Sequence, residues 1–193
     1  LFSCSTKKNT GMTRAVQAFK ARYNTYYNGH IAYIDGVDAQ EDGNKDNFTE
    51  IIPLYIIGNK STASIGKSNF ERAIEKCQKT IKQHSITKRP EWKGNKPKTA
   101  KDKVWLSQKE YNPFLYKAWF LMGNAQFRRG EYLEAATTFS YIQRLYFSNP
   151  DIIAEARLLE ARCYAELEWF YDAEDLINRA VRDSFPKDLE NLK

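Results

Sequence analysis

The side chains of this protein that could do chemistry are few. Its 193 residues include three cysteines and two histidines. A nucleophilic thiol needs a base beside it, and a structural zinc site needs four Cys or His ligands. His30 stands alone at a turn signal and His84 alone beside a basic stretch, and no Cys, Ser and acid arrangement surrounds either; both read as solvated surface histidines. Cys77 and Cys163 fall at positions where helices pack, and read as small buried hydrophobes. Glu166, Glu168, Asp172, Glu174 and Asp175 form an acidic cluster. Calcium would need oxygen ligands on a loop turned by a glycine, and that glycine is missing, so the cluster reads as a solvated helix face. There is no glycine-rich phosphate cradle. The chain reads as a non-enzyme, with no catalytic residue, no metal site and no small-molecule substrate.

Cys4 differs from the other cysteines. It sits in Leu1-Phe2-Ser3-Cys4-Ser5, an aliphatic residue three places before a cysteine and a small residue directly before it. This resembles the lipobox of bacterial lipoproteins. The resemblance implies cleavage before Cys4 and diacylglycerylation of its thiol, a covalent lipid being the one added group expected. Each buried methylene of such chains contributes about 0.8 kcal/mol, enough to anchor a body without a spanning helix. Ser5 to Thr10 reads as a polar tether. No window approaches eighteen consecutive apolar residues, so no transmembrane helix is expected within the chain. Lys7 and Lys8 follow the cysteine. In the Bacteroidetes-type lipoproteins this resembles, an acidic run there favours surface export, so two lysines imply an outer-membrane protein whose body faces the periplasm.

The net charge of +6 is unevenly spread. Between Ser85 and Lys103 stand seven basic residues against Glu91 and Asp102. That stretch reads as a solvated basic linker, 85–112. Basic and aromatic residues do not alternate there, and only Trp92 is embedded in it, so nucleic acid is not an expected partner.

Stepwise apolar spacing calls for helices elsewhere. Val16, Phe19, Tyr23, Tyr26 and Tyr27 make a stripe over 13–28, which Asn28-Gly29 should stop. A short helix could follow to Gly36, and 37–47 reads as a polar, acidic loop. The apolar run 51–57 is extended or a buried connector. Ser68 and Glu71 have capping-box spacing, opening a helix to about Gln83. Asn112-Pro113 and Asn149-Pro150 are helix starts, giving helices near 113–129, 131–147, 151–167 and 170–183.

Within these helices the stretch AWFLMGNAQFRRGEYLEA, 118–135, matches the tetratricopeptide pattern at Trp119, Met122, Gly123, Tyr132 and Ala135, with Phe139 following. A shift of 38 residues lays Ala156 on Ala118, Ala161 on Gly123, Phe170 on Tyr132, Ala173 on Ala135 and Ile177 on Phe139. Phe70 and Ala73 mark a third second-helix, with no convincing first helix before it; Tyr23 to Gly29 resembles the end of one. The expected fold is all-α, a tetratricopeptide-repeat solenoid of helix–turn–helix hairpins with long N-terminal insertions. Its parts are a tether at 1–12, a degenerate helical region at 13–84, the linker at 85–112, two repeats at 113–183 and a following segment at 184–193. In that family the concave groove is lined by first-helix positions not used in packing. Carried over, these are Lys117, Phe120, Asn124, Phe127 and Arg128, then Glu155, Leu158, Arg162, Ala165 and Glu166. Phe120 stands where carboxylate-binding members hold a basic residue, which implies an apolar or mixed peptide instead.

The N-terminal run Cys4-Ser-Thr-Lys-Lys-Asn-Thr10, with Lys20-Ala-Arg-Tyr-Asn-Thr-Tyr-Tyr-Asn-Gly29, resembles the start of the PorW/SprE gliding and secretion lipoproteins of Bacteroidetes. The resemblance implies a longer parent protein. It also implies a non-enzymatic scaffold on the periplasmic side of the outer membrane, linking the type IX secretion translocon to its energised machinery. Outer-membrane or periplasmic proteins of that complex would be the partners. Two other readings stay open: an assembly factor that binds nascent outer-membrane barrels, and a glycan-uptake lipoprotein.

Overall fold

In a computed structural model the described residues are 6–45, 48–49, 62, 64–92 and 98–182. Cys4, the 51–57 run and 184–193 lie outside them. The described residues form helices and no strand, so the all-α expectation holds. The helices are α1 (Gly11–Ala21), α2 (Tyr27–Gly43), α3 (Lys67–His84), α4 (Ala100–Leu106), α5 (Leu115–Arg128), α6 (Tyr132–Leu145), α7 (Pro150–Glu166) and α8 (Phe170–Arg182). A π-helical turn, Arg22–Tyr26, joins α1 to α2 without a break.

Side-chain caps open α1, α4 and α7. Thr10 opens α1, its hydroxyl accepting the Thr13 amide at 3.1 Å. Asn149 opens α7, taking the Ile152 amide at 3.4 Å, with Pro150 as first helical residue. The expected start at Asn112-Pro113 does not hold: α5 begins at Leu115 after Phe114, because Asn112 uses its side-chain oxygen on the turn before the helix, accepting the Phe114 amide at 3.0 Å. The expected capping box at Ser68 and Glu71 does not form. The helix starts two residues earlier, at Lys67 after Gly66 at φ +68°, so Ser68 is already inside the first turn. Glu71 instead pairs with Arg129 at 3.3 Å. A capping box does form at α4, where Thr99 and Asp102 each accept the other's backbone amide.

Two further expectations fail in the N-terminal region. Asn28-Gly29 does not stop the helix, and 37–43 is helical, not a loop. Gly29 is there for packing. A Cβ on it would lie 2.9 Å from Cβ of Lys76 and 3.4 Å from the Ala73 carbonyl of α3, so only glycine lets the two backbones approach this closely. Gly36, one turn-pair on, abuts the Phe70 ring in the same way. Once α2 lies flush against α3, the polar residues after Gly36 continue the helix. Gln40, fully buried, donates to the Arg128 carbonyl at 2.9 Å and so closes the C-terminal end of α5.

Packing runs in sequence order. α2 lies on α3, α3 on α5, α5 on α6, α6 on α7, and α7 on α8. Short turns join α5 to α6 and α7 to α8. One core cluster gathers Phe120, Phe127, Ala135, Phe139, Ile142, Ile152, Ala156 and Cys163 between α5, α6 and α7. Another gathers Ala32, Phe70, Ala73, Cys77, Leu121, Met122 and Ala125 between α2, α3 and α5.

The stretch read as a linker holds α4 and several buried groups: Ile86, Leu106, Glu110, Tyr111 and Asn112. Glu110 accepts the amides of Ile86, Tyr111 and Asn112 at 2.8–3.0 Å. Asn112 donates to the His84 carbonyl at 2.8 Å. The end of α3 and the start of α5 are thereby tied together, although 26 positions separate His84 from Glu110.

Candidate functional site

The first helices of the hairpins, α2, α5 and α7, share one side of the molecule, and a groove of about 370 Å³ lies there. Tyr26, His30 and Tyr33 form one wall. Tyr116, Lys117, Phe120, Leu121 and Asn124 of α5 form the floor and the facing wall, and Glu155 of α7 closes the far side. The rings hold one another in place. Tyr26 and His30 are stacked with centroids 6.0 Å apart, and Tyr26 meets Phe114 edge-on at 4.9 Å. Tyr33 is set by an edge contact with Phe70 at 5.8 Å. Burial pushes the Tyr26 hydroxyl above its usual pKa, so it is neutral and available as a hydrogen-bond donor.

The groove also carries charge of both signs. Lys117 is exposed, its ammonium 5.9 Å from the Tyr116 ring centre. Burial pushes the Glu155 carboxyl up and Lys117 pulls it partly back. Asn124, half-buried between the aromatic and charged ends, offers an amide donor and acceptor in the same space. Aromatic faces, one amide and a separated ion pair can bind an extended peptide. None of these groups forms a nucleophile–base pair.

The expected groove set divides. Lys117, Phe120, Asn124 and Glu155 line the groove together. Phe120 does so only with an edge, because it is 6% exposed and packs on Tyr116 and Phe139. Phe127 is buried in the core against Tyr132, with the Arg162 guanidinium over its ring at 4.7 Å. Arg162 thus covers the core at that point. Leu158 is buried, and Arg128, at the end of α5, is not part of the groove wall. Ala165 and Glu166 are exposed and also lie off the wall.

Tyr26, His30 and Tyr33 were missed from sequence. A signal for them existed. Gly29 and Gly123 both stand where a first helix meets its second: an added Cβ would lie 2.9 Å from Lys76 Cβ at Gly29, with Cys77 Sγ in ordinary contact at 3.8 Å, and 2.6 Å from Phe139 at Gly123. Laying Gly29 over Gly123 brings Tyr26, His30 and Tyr33 onto Phe120, Asn124 and Phe127. Reading Asn28-Gly29 as a turn concealed this correspondence.

Cys77 and Cys163 are free and buried, and burial pushes both thiols up to about 12. The acidic residues near α8 are exposed, with Asp175 paired to Arg179. Among the described residues no three His, Cys, Asp or Glu lie close enough to hold a metal ion. No described helix is long and apolar enough to cross a membrane.

His84 is not a solvated histidine. Its Nδ1 lies 2.7 Å from Gln17 Oε1, and burial first, then the Lys20 charge, push it below its usual 6.5. The unfolded chain therefore binds the proton more readily than the folded one. The neutral ring's contribution is complete above pH 6.5 and is lost as pH falls from there through the lower folded value. Urea unfolding from pH 7.5 to 5 should show a fall in stability that His84→Gln reduces. Identical pH dependence in the two proteins would show that His84 is not responsible.

No model of a known protein family matches this chain, and no curated protein matches it.

Proposed function

We propose that the protein is a non-enzymatic tetratricopeptide-repeat scaffold that binds a peptide segment of another protein in the groove between α2, α5 and α7. The observation that carries this reading is the recurrence of one packing device. Gly29 against Lys76 and Ala73 of α3, and Gly123 against Phe139 of α6, each let a hairpin's first helix lie close on its second. Equivalent positions of their first helices then face one groove, as Tyr26 and His30 do beside Phe120 and Asn124. A solenoid of stacked hairpins produces this arrangement, and its concave face is its usual binding surface.

The cellular setting rests on the N-terminal resemblance. With Cys4 acylated, the body is held at the periplasmic side of the outer membrane. The PorW/SprE likeness then makes the partner an outer-membrane or periplasmic protein of the type IX secretion and gliding machinery. The test is crosslinking mass spectrometry on membranes carrying the full-length protein, comparing wild type with Lys117→Ala/Asn124→Ala. These side chains are exposed or half-exposed, so the fold should survive. Crosslinks from the groove to one envelope partner, reduced about tenfold or more in the variant, are expected for two central contacts. Unchanged crosslinks in the variant would remove the groove from the interaction.

One observation favours a second reading. Tyr26, Tyr33 and Tyr116 bring three rings to a single groove, an arrangement that also suits stacking on sugars. Saturable binding of a polysaccharide by the purified protein, lost in Tyr33→Ala, would favour the glycan-uptake role over the scaffold.

A further inference from the structure

The helix that runs from α1 through the π-helical turn into α2 has an unusual distribution of side chains. The residues it buries are small or polar: Thr13, Gln17, Ala21, Thr25, Gly29, Ala32, Gly36 and Gln40. Six of its large apolar residues are exposed, from 72% at Met12 to 39% at Ile34, while Val16, Tyr26, Tyr33 and Val37 are half-buried. Hydrophobic burial should drive the opposite pattern.

The exposed set forms one stripe. At 3.6 residues per turn, Met12 and Ile31 would sit about 100° apart around the helix. The π-helical turn, Arg22–Tyr26, inserts about one extra residue and turns the second half back by a similar angle. Phe19, Tyr23, Tyr27 and Ile31, each four apart, are brought into line with Met12, and Phe19 and Tyr23 touch with centroids 4.7 Å apart. The stripe from Met12 to Ile34 is about 33 Å long. Among the described residues none of the stripe belongs to a core cluster or packs against one.

Charge indicates what covers it. Residues 1–34 contain Lys7, Lys8, Arg14, Lys20 and Arg22, and no aspartate or glutamate. The first acid is Asp35, immediately after the stripe ends, and Asp38, Glu41 and Asp42 follow. Lys20 and Arg22 are exposed beside the rings, and the Arg22 guanidinium lies 5.1 Å from the Tyr23 ring centre. An aromatic and aliphatic stripe whose own segment carries only cations until Asp35 ends it suits an anionic lipid interface, where rings sit at headgroup level and basic side chains meet phosphates.

We infer that this outer face lies on the surface of an anionic bilayer, with Met12, Phe19, Tyr23, Tyr27, Ile31 and Ile34 entering the headgroup region. The stripe orients the body on the membrane as a second contact, independent of any acyl chain on Cys4. It faces away from α3 and is separate from the groove, so the groove stays open. The inference requires neither acylation nor the groove reading.

The test uses the full chain carrying Cys4→Ala, so that no acyl chain contributes. Co-sedimentation is measured with vesicles of phosphatidylethanolamine and phosphatidylglycerol, and with phosphatidylcholine alone. The protein should bind the anionic vesicles and bind phosphatidylcholine far more weakly. Adding Phe19→Ser/Tyr23→Ser should lower partitioning about tenfold or more, since two rings leave the interface. Lys20→Glu/Arg22→Glu should lower it at least about fivefold per charge lost. Both pairs are solvent-exposed, and thermal melting should stay near that of the parent. Absence of binding to anionic vesicles, or equal binding by the Phe19/Tyr23 variant, would overturn the inference. So would concentration-dependent self-association abolished by that variant, which would assign the face to a second copy of the chain.

Discussion

Glu110→Ala is expected to destabilise the protein by about 3–5 kcal/mol, and Glu110→Gln by well under half of that. The carboxylate is 6% exposed, and one of its oxygens accepts three amides, from Ile86, Tyr111 and Asn112. The other oxygen takes the Ser85 hydroxyl. Alanine leaves the Ile86 and Asn112 amides without an acceptor, each costing about 1–3 kcal/mol, while the Tyr111 amide keeps the Ile86 carbonyl at 3.0 Å. Glutamine can place its carbonyl oxygen on the same three amides and turn its NH₂ toward Ser85, losing only the charge assistance. The consequences go beyond this one turn. Glu110 connects the segment after α3 to the segment before α5, and α3 packs directly on α5. Denaturant unfolding of the three proteins gives the comparison. Equal losses for alanine and glutamine would mean that the negative charge matters and the acceptor geometry does not. A loss below about 1 kcal/mol for alanine would mean that water replaces the carboxylate.

The second large effect is expected at the crossing of α5 and α6. Phe139→Ala should cost about 3–5 kcal/mol, because the ring is 1% exposed and leaves a cavity among Ala135, Ile142 and Ala156. Gly123→Ala acts on the same contact from the other side. Its Cβ would lie 2.6 Å from Cε1 and 2.7 Å from Cζ of Phe139, so the ring or the helix must shift. Alanine gains about 1 kcal/mol of helix propensity over glycine, and overpacking costs about 1–3 kcal/mol, so a net loss of up to about 2 kcal/mol is expected. The pair should be strongly coupled. With Phe139→Leu in place, Gly123→Ala should become neutral or stabilising, because the ring edge it strikes is gone. Additive effects across that cycle would mean that the two residues do not define the crossing. The result bears on the groove as well, since Phe120 packs on Phe139 and a shifted α5 would carry Phe120 and Asn124 with it.

Recognition of hairpins in the C-terminal half was possible because their signals are local. Asn149 followed by Pro150 marks the start of α7 through one hydrogen bond and one fixed φ, whatever lies nearby. The apolar spacing of α5 to α8 likewise reports the helix that bears it. The groove was legible only in part. Lys117, Asn124 and Glu155 were found because an aligned pattern identified their faces. Phe127 was misplaced because the pattern does not show that the Arg162 guanidinium covers its ring. His30 was set aside as a lone histidine, since nothing within a few residues of it shows that Asn124 and Glu155 share its groove.

The sequence by itself determined the helical class, the existence of the helices from α5 to α8 with the capped start of α7, and the buried character of Cys77 and Cys163. These follow from periodicity, capping chemistry and composition, whose energies are settled within a turn or two of chain. Only the tertiary structure decided that α2 runs through Asn28-Gly29, that Glu110 is a buried acceptor, and that Tyr26, His30 and Tyr33 face Asn124. A glycine allows a turn and a close helix approach equally well, and a glutamate can sit in water or accept buried amides. Which outcome prevails depends on what distant segment arrives beside it: here Lys76 and Ala73 beside Gly29, and the Ile86 amide beside Glu110.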